Sequence, residues 1–349
     1  INIIIGAVIF LLSLVVTKPI LTAMNTPAAQ FGDAYRYIIV ILCTVAVPMI
    51  YNLEATILRS VGDSKTPLYF LIFASIMNII LDWVFMKNLD MGVTGAAVAT
   101  VVSQLTASLL CLIVIKKNFP VLHITKSDFA RDKKLTSDML SAGMTMATMN
   151  SIFSIGSIIM QGAINALGET IIAAHLASRK LAEMFMQPLV TVGLACSTFV
   201  SQNFGAKKYD RIAKAIRYSL IYCAVWSVIS FFVLWFLGAK ATVLITGTGN
   251  AEVVRNTAMY LRINAPFYFV LGILFVLRFS IQSINKKIPP LISSAMELGT
   301  KIAAAFVFIP MWKYTGACIA EPLSWCMGAI YLSVVFASEM KKINQKSKA

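Results

Sequence analysis

Long runs of apolar residues, separated by short polar connectors, repeat along the whole chain. A helix needs about 20 mostly apolar residues to cross the hydrocarbon layer of a membrane, and ten runs are close to that length or exceed it. This pattern predicts an all-α polytopic membrane protein with ten transmembrane helices. The runs cover residues 1–16, 35–58, 67–86, 93–115, 139–165, 171–198, 215–238, 257–281, 289–311 and 315–337.

The composition leads to the same class of protein. Of the 349 residues, 58% are hydrophobic and 13% are charged, whereas soluble domains carry roughly 45–50% and about 25%. No stretch of the chain is polar enough to form a sizeable soluble domain. We therefore expect a multi-pass protein surrounded by the lipid bilayer.

Basic residues outnumber acidic ones by 30 to 15, which gives a net charge of +15. They are spread over several connectors and are not gathered in one patch, so we expect no nucleic-acid partner. With ten crossings the connectors form two alternating sets, one with 19 Lys and Arg residues and the other with 7. Because cytoplasmic connectors carry the excess of positive charge, both ends of this chain are predicted to face the cytoplasm.

The two halves of the chain carry similar segments at a fixed distance. Residues 60–68 match residues 283–291 at an offset of 223, and residues 94–103 match residues 315–324 at an offset of 221. The matching connectors lie on the same predicted side, as in transporters that are built from two parallel repeats with the substrate site between them.

The repeat also predicts how the chain is organised. Residues 1–115 form an N-lobe of four helices, 116–137 a basic cytoplasmic linker, 138–338 a C-lobe of six helices and 339–349 a basic cytoplasmic tail. A matching first copy would begin about 85 residues before Ile1. We therefore expect a fragment of a protein with two lobes of six helices, inactive without its first two helices.

Asp82 is a carboxylate in a span that is otherwise mostly Leu, Ile, Phe and Val. An uncompensated charge at the centre of a membrane costs at least ~2.5 kcal/mol, so this residue needs partners. Asn78 lies one turn earlier on the same helix face, and Thr100 lies in the next span, which should pack antiparallel. Their oxygen atoms suit a hard cation or a proton. The alternative is that Asp82 only pairs near the outer interface and orients its helix.

Four short motifs follow one another along the chain. They are LRSVGDSKTP at residues 58–67, NIILD at 78–82, GVTGAAVAT at 92–100, and QNFGA at 202–206 ahead of a basic segment. In this order, and on these predicted sides of the membrane, the motifs resemble the multidrug and toxic compound extrusion (MATE) family of cation-coupled efflux antiporters. The resemblance covers the family's third to twelfth helices and implies a two-lobe bundle with ten of twelve helices present.

The resemblance implies a cation site in the N-lobe. It assigns Asn78, Asp82, Thr100 and the backbone of Ala96 to this site, together with an Asp of the family's first helix that is not in this chain. It also implies Na⁺ or H⁺ as the coupling ion and no other cofactor. Some branches of the family use acidic residues of the seventh and tenth helices instead, but the spans at 139–165 and 257–281 have none, so we expect coupling in the N-lobe.

Two further sets of polar residues lie within predicted spans. Glu54 is expected to pair with Arg59 near the cytoplasmic interface, and a gating or substrate role is the alternative. Gln161 and Asn165 are spaced i,i+4 and are expected to form interhelical hydrogen bonds, with substrate contact as the alternative.

The charged residues of the C-lobe spans also have two explanations. Glu297 and Lys301 are spaced i,i+4 and are expected to form a salt bridge on one helix face. Glu321 either binds a cationic substrate or pairs with Arg278.

No motif of the sequence indicates catalysis. His123 and His175 lack the clustered ligands of a zinc site, and HExxH, GxSxG and GxxxxGK[ST] do not occur. We therefore predict neither an enzyme nor an ATP-driven pump.

The combined prediction is a monomeric secondary antiporter of the cell membrane. It exports small organic compounds, cationic or amphipathic, in exchange for Na⁺ or H⁺. The alternative is a lipid-linked oligosaccharide flippase, for which a cationic central cavity would be expected and against which the scarcity of arginines at span centres counts. A scaffold or sensor without transport is a third possibility, which the lack of a soluble domain disfavours.

Overall fold

The computed structural model describes residues 2–23, 28–123, 132–247 and 249–348. Throughout these ranges the chain is helical, with no strand, and short 3₁₀ and π-helical segments join some of the helices. The α-helices are α1 (Asn2–Ala23), α2 (Ala28–Cys43), α3 (Ala46–Ser60), α4 (Lys65–Trp83), α5 (Gly92–Asn118), α6 (Lys133–Asn165), α7 (Glu169–Gly205), α8 (Tyr209–Thr246), α9 (Ala251–Asn264), α10 (Tyr268–Ser283), α11 (Ile288–Ala303), α12 (Ile309–Trp312) and α13 (Tyr314–Lys348).

Eight helical stretches in the described ranges are long and apolar enough to cross a membrane. The bent pair Phe31–Cys43 and Ala46–Ser60 is a ninth if it is one span. Residues 2–16 of the predicted first span lie within α1 (Asn2–Ala23, 22 residues), which contains the shorter apolar stretch Gly6–Pro19. The all-α polytopic fold is thus confirmed.

Three predicted segments extend beyond the described residues. Ile1 of the first predicted span, residues 124–131 of the predicted linker and Ala349 of the predicted tail lie outside the described residues.

The bend of 42° between α2 and α3 has a cause in the sequence. Pro48 lies in the first turn of α3, and a proline ring clashes with the carbonyl group four residues earlier, which here belongs to Thr44. The Thr44 hydroxyl donates to the Val40 carbonyl oxygen at 2.7 Å. The helix is therefore interrupted at Thr44 and Val45 and resumes in a new direction.

The helices group into two compact units, Ile1–Ala130 and Arg131–Ala349. In the first unit, α5 packs against α2, α3 and α4, and α1 packs against α2 and α3. In the second unit, α7 packs against α8, α9 and α10, while α11 and α13 pack against each other, α11 against α6, and α13 against α10. A broad apolar core, which includes Tyr260, Tyr268 and Leu271, lies within the second unit.

One face of α4 is apolar and exposed. Ile72, Ile76 and Ile79 are exposed by 49%, 55% and 70%, and their spacing places them on the same side of the helix. Aliphatic side chains in such a position suit contact with lipid. Polar residues of α4 are therefore expected on the face that packs against α5.

The structure supports the predicted internal repeat. A π-helical segment, Val84–Asn88, follows α4, and a second one, Ala304–Phe308, follows α11. Each is followed by a non-glycine residue with φ of 51°, Asp90 in the first case and Lys313 in the second. The two residues are separated by the offset of 223 that the sequence matches show.

The matched connectors before α4 and α11 also turn in the same way. Gly62 has φ of 96° and Asn285, at the same offset, has φ of 62°, a backbone conformation that glycine and asparagine tolerate best. The Asp63 carboxylate accepts from the backbone N–H groups of Lys65 at 3.2 Å and Thr66 at 3.0 Å. Hydrogen bonds from the Thr66 hydroxyl and backbone hold the pKa of Asp63 below its ordinary value.

Gly316 at the start of α13 gives a test of this packing. A Cβ atom there would lie against the Phe308 carbonyl group, closer than a van der Waals contact allows, whereas one at Gly299 of α11 would meet nothing within 4 Å. Gly316→Ala should therefore reduce the free energy of unfolding by about 1–3 kcal/mol, and Gly299→Ala should leave it unchanged or raise it by up to ~1 kcal/mol. Thermal unfolding in detergent micelles measures both, and equal effects of the two variants would contradict the close approach of α13 to Phe308.

Candidate functional site

The predicted cation-site residues form two local pairs. The Asn78 carboxamide donates to the Asp82 carboxylate at 3.5 Å on α4, and the Thr100 hydroxyl donates to the Ala96 carbonyl oxygen at 3.0 Å on α5. All four side chains are half-buried, and α4 packs against α5. Among the described residues no hydrogen bond joins one pair to the other.

This arrangement provides few negative charges for a cation. No group of three His, Cys, Asp or Glu side chains able to hold a metal ion occurs in the described ranges, and Asp82 is the carboxylate of its pair. One carboxylate with amide and hydroxyl oxygens suits a singly charged cation or a proton better than a divalent cation, which takes several carboxylates. The role of these four residues stays a prediction.

Glu54 of α3 has a different partner from the expected one. It is buried and accepts from the Ser108 hydroxyl of α5 at 2.8 Å. Arg59 instead donates from Nε to the Ala55 carbonyl oxygen at 3.0 Å. The expected Glu54–Arg59 pair is wrong because five residues turn an α-helix by about 140°, so the two side chains leave α3 on different sides.

The second unit encloses a cavity of about 300 Å³ between α6, α7, α10, α11 and α13. Most of its wall is apolar and includes Met149, Met186, Leu271 and Phe275. Methionine side chains fill irregular spaces and adapt to different ligands. Five ionisable side chains also line this cavity, namely Arg179, Arg278, Glu297, Lys301 and Glu321.

Glu321 of α13 lies between two basic side chains. It accepts from Arg179 of α7 at 3.1 Å and lies 3.8 Å from the Lys301 ammonium of α11. Arg179 also contacts Glu183 at 3.2 Å, one turn further along α7. The expected alternative of a Glu321–Arg278 pair is therefore wrong.

Arg278 of α10 pairs with Glu297 of α11. The same guanidinium donates to the Ser293 hydroxyl at 3.0 Å. The expected salt bridge between Glu297 and Lys301 does not form, although both side chains lie on the buried face of α11. Each side chain instead pairs with a residue of a neighbouring helix: Glu297 pairs with Arg278 of α10, and Lys301 lies closest to Glu321 of α13. The reason is that several helices bring opposite charges to this face of α11.

His175, Tyr260 and Tyr314 form a cluster of rings in the second unit. The His175 ring is buried and contacts Tyr260 and Tyr314 edge to face, with centroid distances of 5.7 Å and 6.0 Å. The position of His175 within a ring cluster agrees with a packing role.

Gln161 and Asn165 bond to each other within α6. The Gln161 carboxamide donates to the Asn165 carboxamide oxygen at 2.7 Å, and neither residue lines the cavity. The expected hydrogen bonds to other helices are therefore wrong for this pair. The i,i+4 spacing lets the two side chains form a hydrogen bond with each other on the same helix.

Arg179 and Lys301 are cavity residues that the sequence alone did not assign to a site. A signal was present, because ionisable residues inside an apolar span mark functional positions by default. Their partners could not be found from the sequence, since Glu321 is 142 residues from Arg179.

The family model MatE matches residues 1–84 and 145–307. The chain belongs to the MatE family. This membership confirms the resemblance found in the sequence, and because the members of this family are transporters, it also confirms the prediction that the protein is not an enzyme.

Curated relatives carry names of the same kind. The chain is 28% identical over 219 residues to the probable multidrug resistance protein YoeA of Bacillus subtilis (strain 168), which covers 61% of this chain and 47% of YoeA. It is 26% identical over 273 residues to the probable multidrug resistance protein YpnP of the same organism, with coverage of 78% and 59%. The chain thus spans about half to three fifths of the length of these relatives.

Solved structures share the fold. A multidrug resistance MATE family transporter of the MOP superfamily in its outward-facing conformation aligns with a TM-score of 0.92, 19% identity, and coverage of 98% of this chain and 77% of that chain. At this identity the similarity establishes the fold alone.

The ionic cluster of the second unit predicts unequal effects of two similar substitutions. Glu321→Gln leaves the half-buried Arg179 and the buried Lys301 charges poorly compensated and should reduce the free energy of unfolding by about 3 kcal/mol. Glu183→Gln removes a carboxylate from a side chain that is 55% exposed and should cost less than about 1 kcal/mol. Thermal unfolding in detergent micelles compares the two variants, and a loss for Glu183→Gln as large as that for Glu321→Gln would refute this ranking.

Proposed function

We propose that the protein is a secondary transporter that exports amphipathic organic compounds in exchange for Na⁺ or H⁺. Membership of the MatE family and the names of the curated relatives support export of small molecules. The observation that carries the ion-coupled part is Asp82, a half-buried carboxylate hydrogen-bonded to Asn78 on the otherwise apolar α4.

The coupling follows from linkage between two ligands. An ion can shift the equilibrium between two conformations only as far as its affinities for them differ, and the substrate then experiences the same coupling free energy. A single carboxylate with few polar partners meets this requirement, because a small movement of α5 against α4 changes how many oxygen atoms surround the ion. We assign the ion to Asp82, Asn78, Thr100 and the Ala96 carbonyl oxygen.

The proposed architecture retains the predicted lobes. Residues 1–115 are the N-lobe, 116–137 the linker, 138–338 the C-lobe and 339–349 the tail. The protein acts as a monomer in the cell membrane, with both ends of this chain in the cytoplasm.

A lipid-linked oligosaccharide flippase is the second candidate. It is favoured by three cations that line one cavity, Arg179, Arg278 and Lys301. The scarcity of arginines at span centres is therefore a weaker objection to a flippase than the sequence suggests. Both arginines are nevertheless paired with glutamates, which leaves less positive charge than a pyrophosphate group would require. Export of smaller amphipathic compounds is the better match.

The substitution Asp82→Asn tests the ion assignment. It keeps the shape of the side chain and its contact with Asn78 but removes the charge that the ion requires. Export of a fluorescent amphipathic dye from vesicles, driven by an imposed Na⁺ or pH gradient, should fall about tenfold or more. The assay uses the longest polypeptide that the gene encodes.

Asp90→Asn is the matched control. Asp90 is exposed in the connector between α4 and α5, and asparagine tolerates its φ of 51°, so transport should remain unchanged. If Asp82→Asn exports dye with the same rate and the same ion dependence as the unmodified protein, Asp82 does not bind the coupling ion.

A further inference from the structure

Lys301 of α11 is a buried cation with little compensation. Its side chain is 3% exposed, and within the described parts of the chain its ammonium nitrogen has no hydrogen-bond partner. The nearest carboxylate oxygen, on Glu321, is 3.8 Å away, which is too far for a hydrogen bond. An ammonium group can donate three hydrogen bonds, so this one has unused donor capacity on a side chain that lines the cavity.

The surrounding helices hold the Lys301 side chain in place. Its ammonium lies 4.0 Å from the centroid of the Phe153 ring of α6, a cation–π contact. A Cβ atom at Gly156 of α6 would lie 2.8 Å from Lys301 Cδ, so the absence of a side chain at 156 leaves space for the lysine stem. α6 thus provides both the aromatic ring and the space that hold the lysine side chain.

A second unused donor lies in the same cavity. Arg278 donates through Nη2 to Ser293 and Glu297, but its Nε is buried and has no hydrogen-bond partner in the described ranges. Both Lys301 and Arg278 line the cavity.

The charges of the cavity wall do not cancel. Three cations, Arg179, Arg278 and Lys301, face two carboxylates, Glu297 and Glu321. Glu183 balances Arg179 from a side chain that is 55% exposed and is not part of the wall. The wall residues taken alone therefore carry one surplus positive charge, which Glu183 offsets from outside the wall, and Lys301 is the cation with the longest distance to a carboxylate.

The rest of the wall indicates the body of a ligand. Met149, Met186 and Leu271 are apolar, and the stacked rings of Phe275 and Phe279 have centroids 5.9 Å apart. Ligand sites are commonly apolar pockets with a few polar groups that fix orientation. An apolar, partly aromatic ligand with one anionic group matches both parts of this wall.

We infer that this cavity binds an amphipathic organic anion, with its carboxylate, sulfonate or phosphate group on Lys301 and the Arg278 Nε–H, and its apolar body against the methionine and phenylalanine side chains. The inference rests on the proposed transport function and names the class of substrate. It replaces the expectation of a cationic substrate for this cavity.

Binding of matched probes tests the inference. The probes are pyrenebutyrate, its neutral alcohol pyrenebutanol, and a pyrenealkyl trimethylammonium cation, each titrated into purified protein in detergent with energy transfer from tryptophan as the signal. The unmodified protein should bind the anion at least about tenfold more tightly than the other two, which corresponds to one lost charged contact. Trp325 lines the cavity, so Trp325→Phe should remove much of the transfer signal.

Lys301→Gln and Lys287→Gln provide the matched variants. Lys287 lies at the start of the same helix, where it donates to the Asp138 carbonyl oxygen at 3.3 Å and does not line the cavity. Lys301→Gln should weaken anion binding about tenfold and affect the neutral alcohol little, while Lys287→Gln should change neither. If Lys301→Gln does not fold, the preference of the unmodified protein among the three probes still decides the question.

Three outcomes would overturn the inference. They are equal binding of the three probes, preference for the cation, and anion binding that Lys301→Gln and Lys287→Gln weaken equally. The cluster would then serve stability alone. If any of these results is found together with ion-driven dye export, the proposed function stands and only the inference fails. If anion binding depends on Lys301 but no ion-driven transport is found, the binding site stands and the proposed function fails.

Discussion

The second unit depends on compensation of charges that lie inside membrane-spanning helices. Burying a charge without a partner is costly, and five ionisable side chains line one cavity. Lipid chains are as apolar as leucine, so apolar contacts between such helices specify their orientation poorly. Pairing of Arg179 with Glu321 and of Arg278 with Glu297 therefore fixes how α7, α10, α11 and α13 face one another.

In the first unit, two carboxylates within helices have single hydrogen-bond partners and no ion pairs among the described residues. Asp82 has one amide partner at 3.5 Å, and Glu54 has one hydroxyl partner at 2.8 Å. A carboxylate with so few partners is suited to reversible binding of a ligand. The ion pairs of the second unit are instead suited to holding helices together. Lys301, which has the weakest pairing there, is the cation that we propose for a bound anionic group.

Sequence patterns determined the features that depend on neighbours along the chain. Asn78 lies beside Asp82, as the i,i+4 spacing predicts. The matched segments 60–68 and 283–291 also turn alike, since Gly62 and Asn285 both have positive φ. These outcomes follow from helix periodicity and local backbone preference, which operate over a few residues.

Partners on different helices were beyond these patterns. Glu297 and Lys301 share a helix face, yet each pairs with a residue of another helix. Glu54 finds Ser108, 54 residues away, where the sequence suggested Arg59. Such choices depend on which helices pack side by side and in what register, and a local spacing rule contains no information about either.

The most direct test of this account is a double-mutant cycle on Arg278 and Glu297, measured by unfolding in detergent micelles. Each single change, Arg278→Met or Glu297→Gln, leaves a buried charge without its partner and should cost about 3–5 kcal/mol. The double variant removes both charges and should lose less than the sum of the two single losses by at least about 1 kcal/mol. Additive losses, equal within ~0.3 kcal/mol to that sum, would contradict the claim that compensation of buried charges orders these helices.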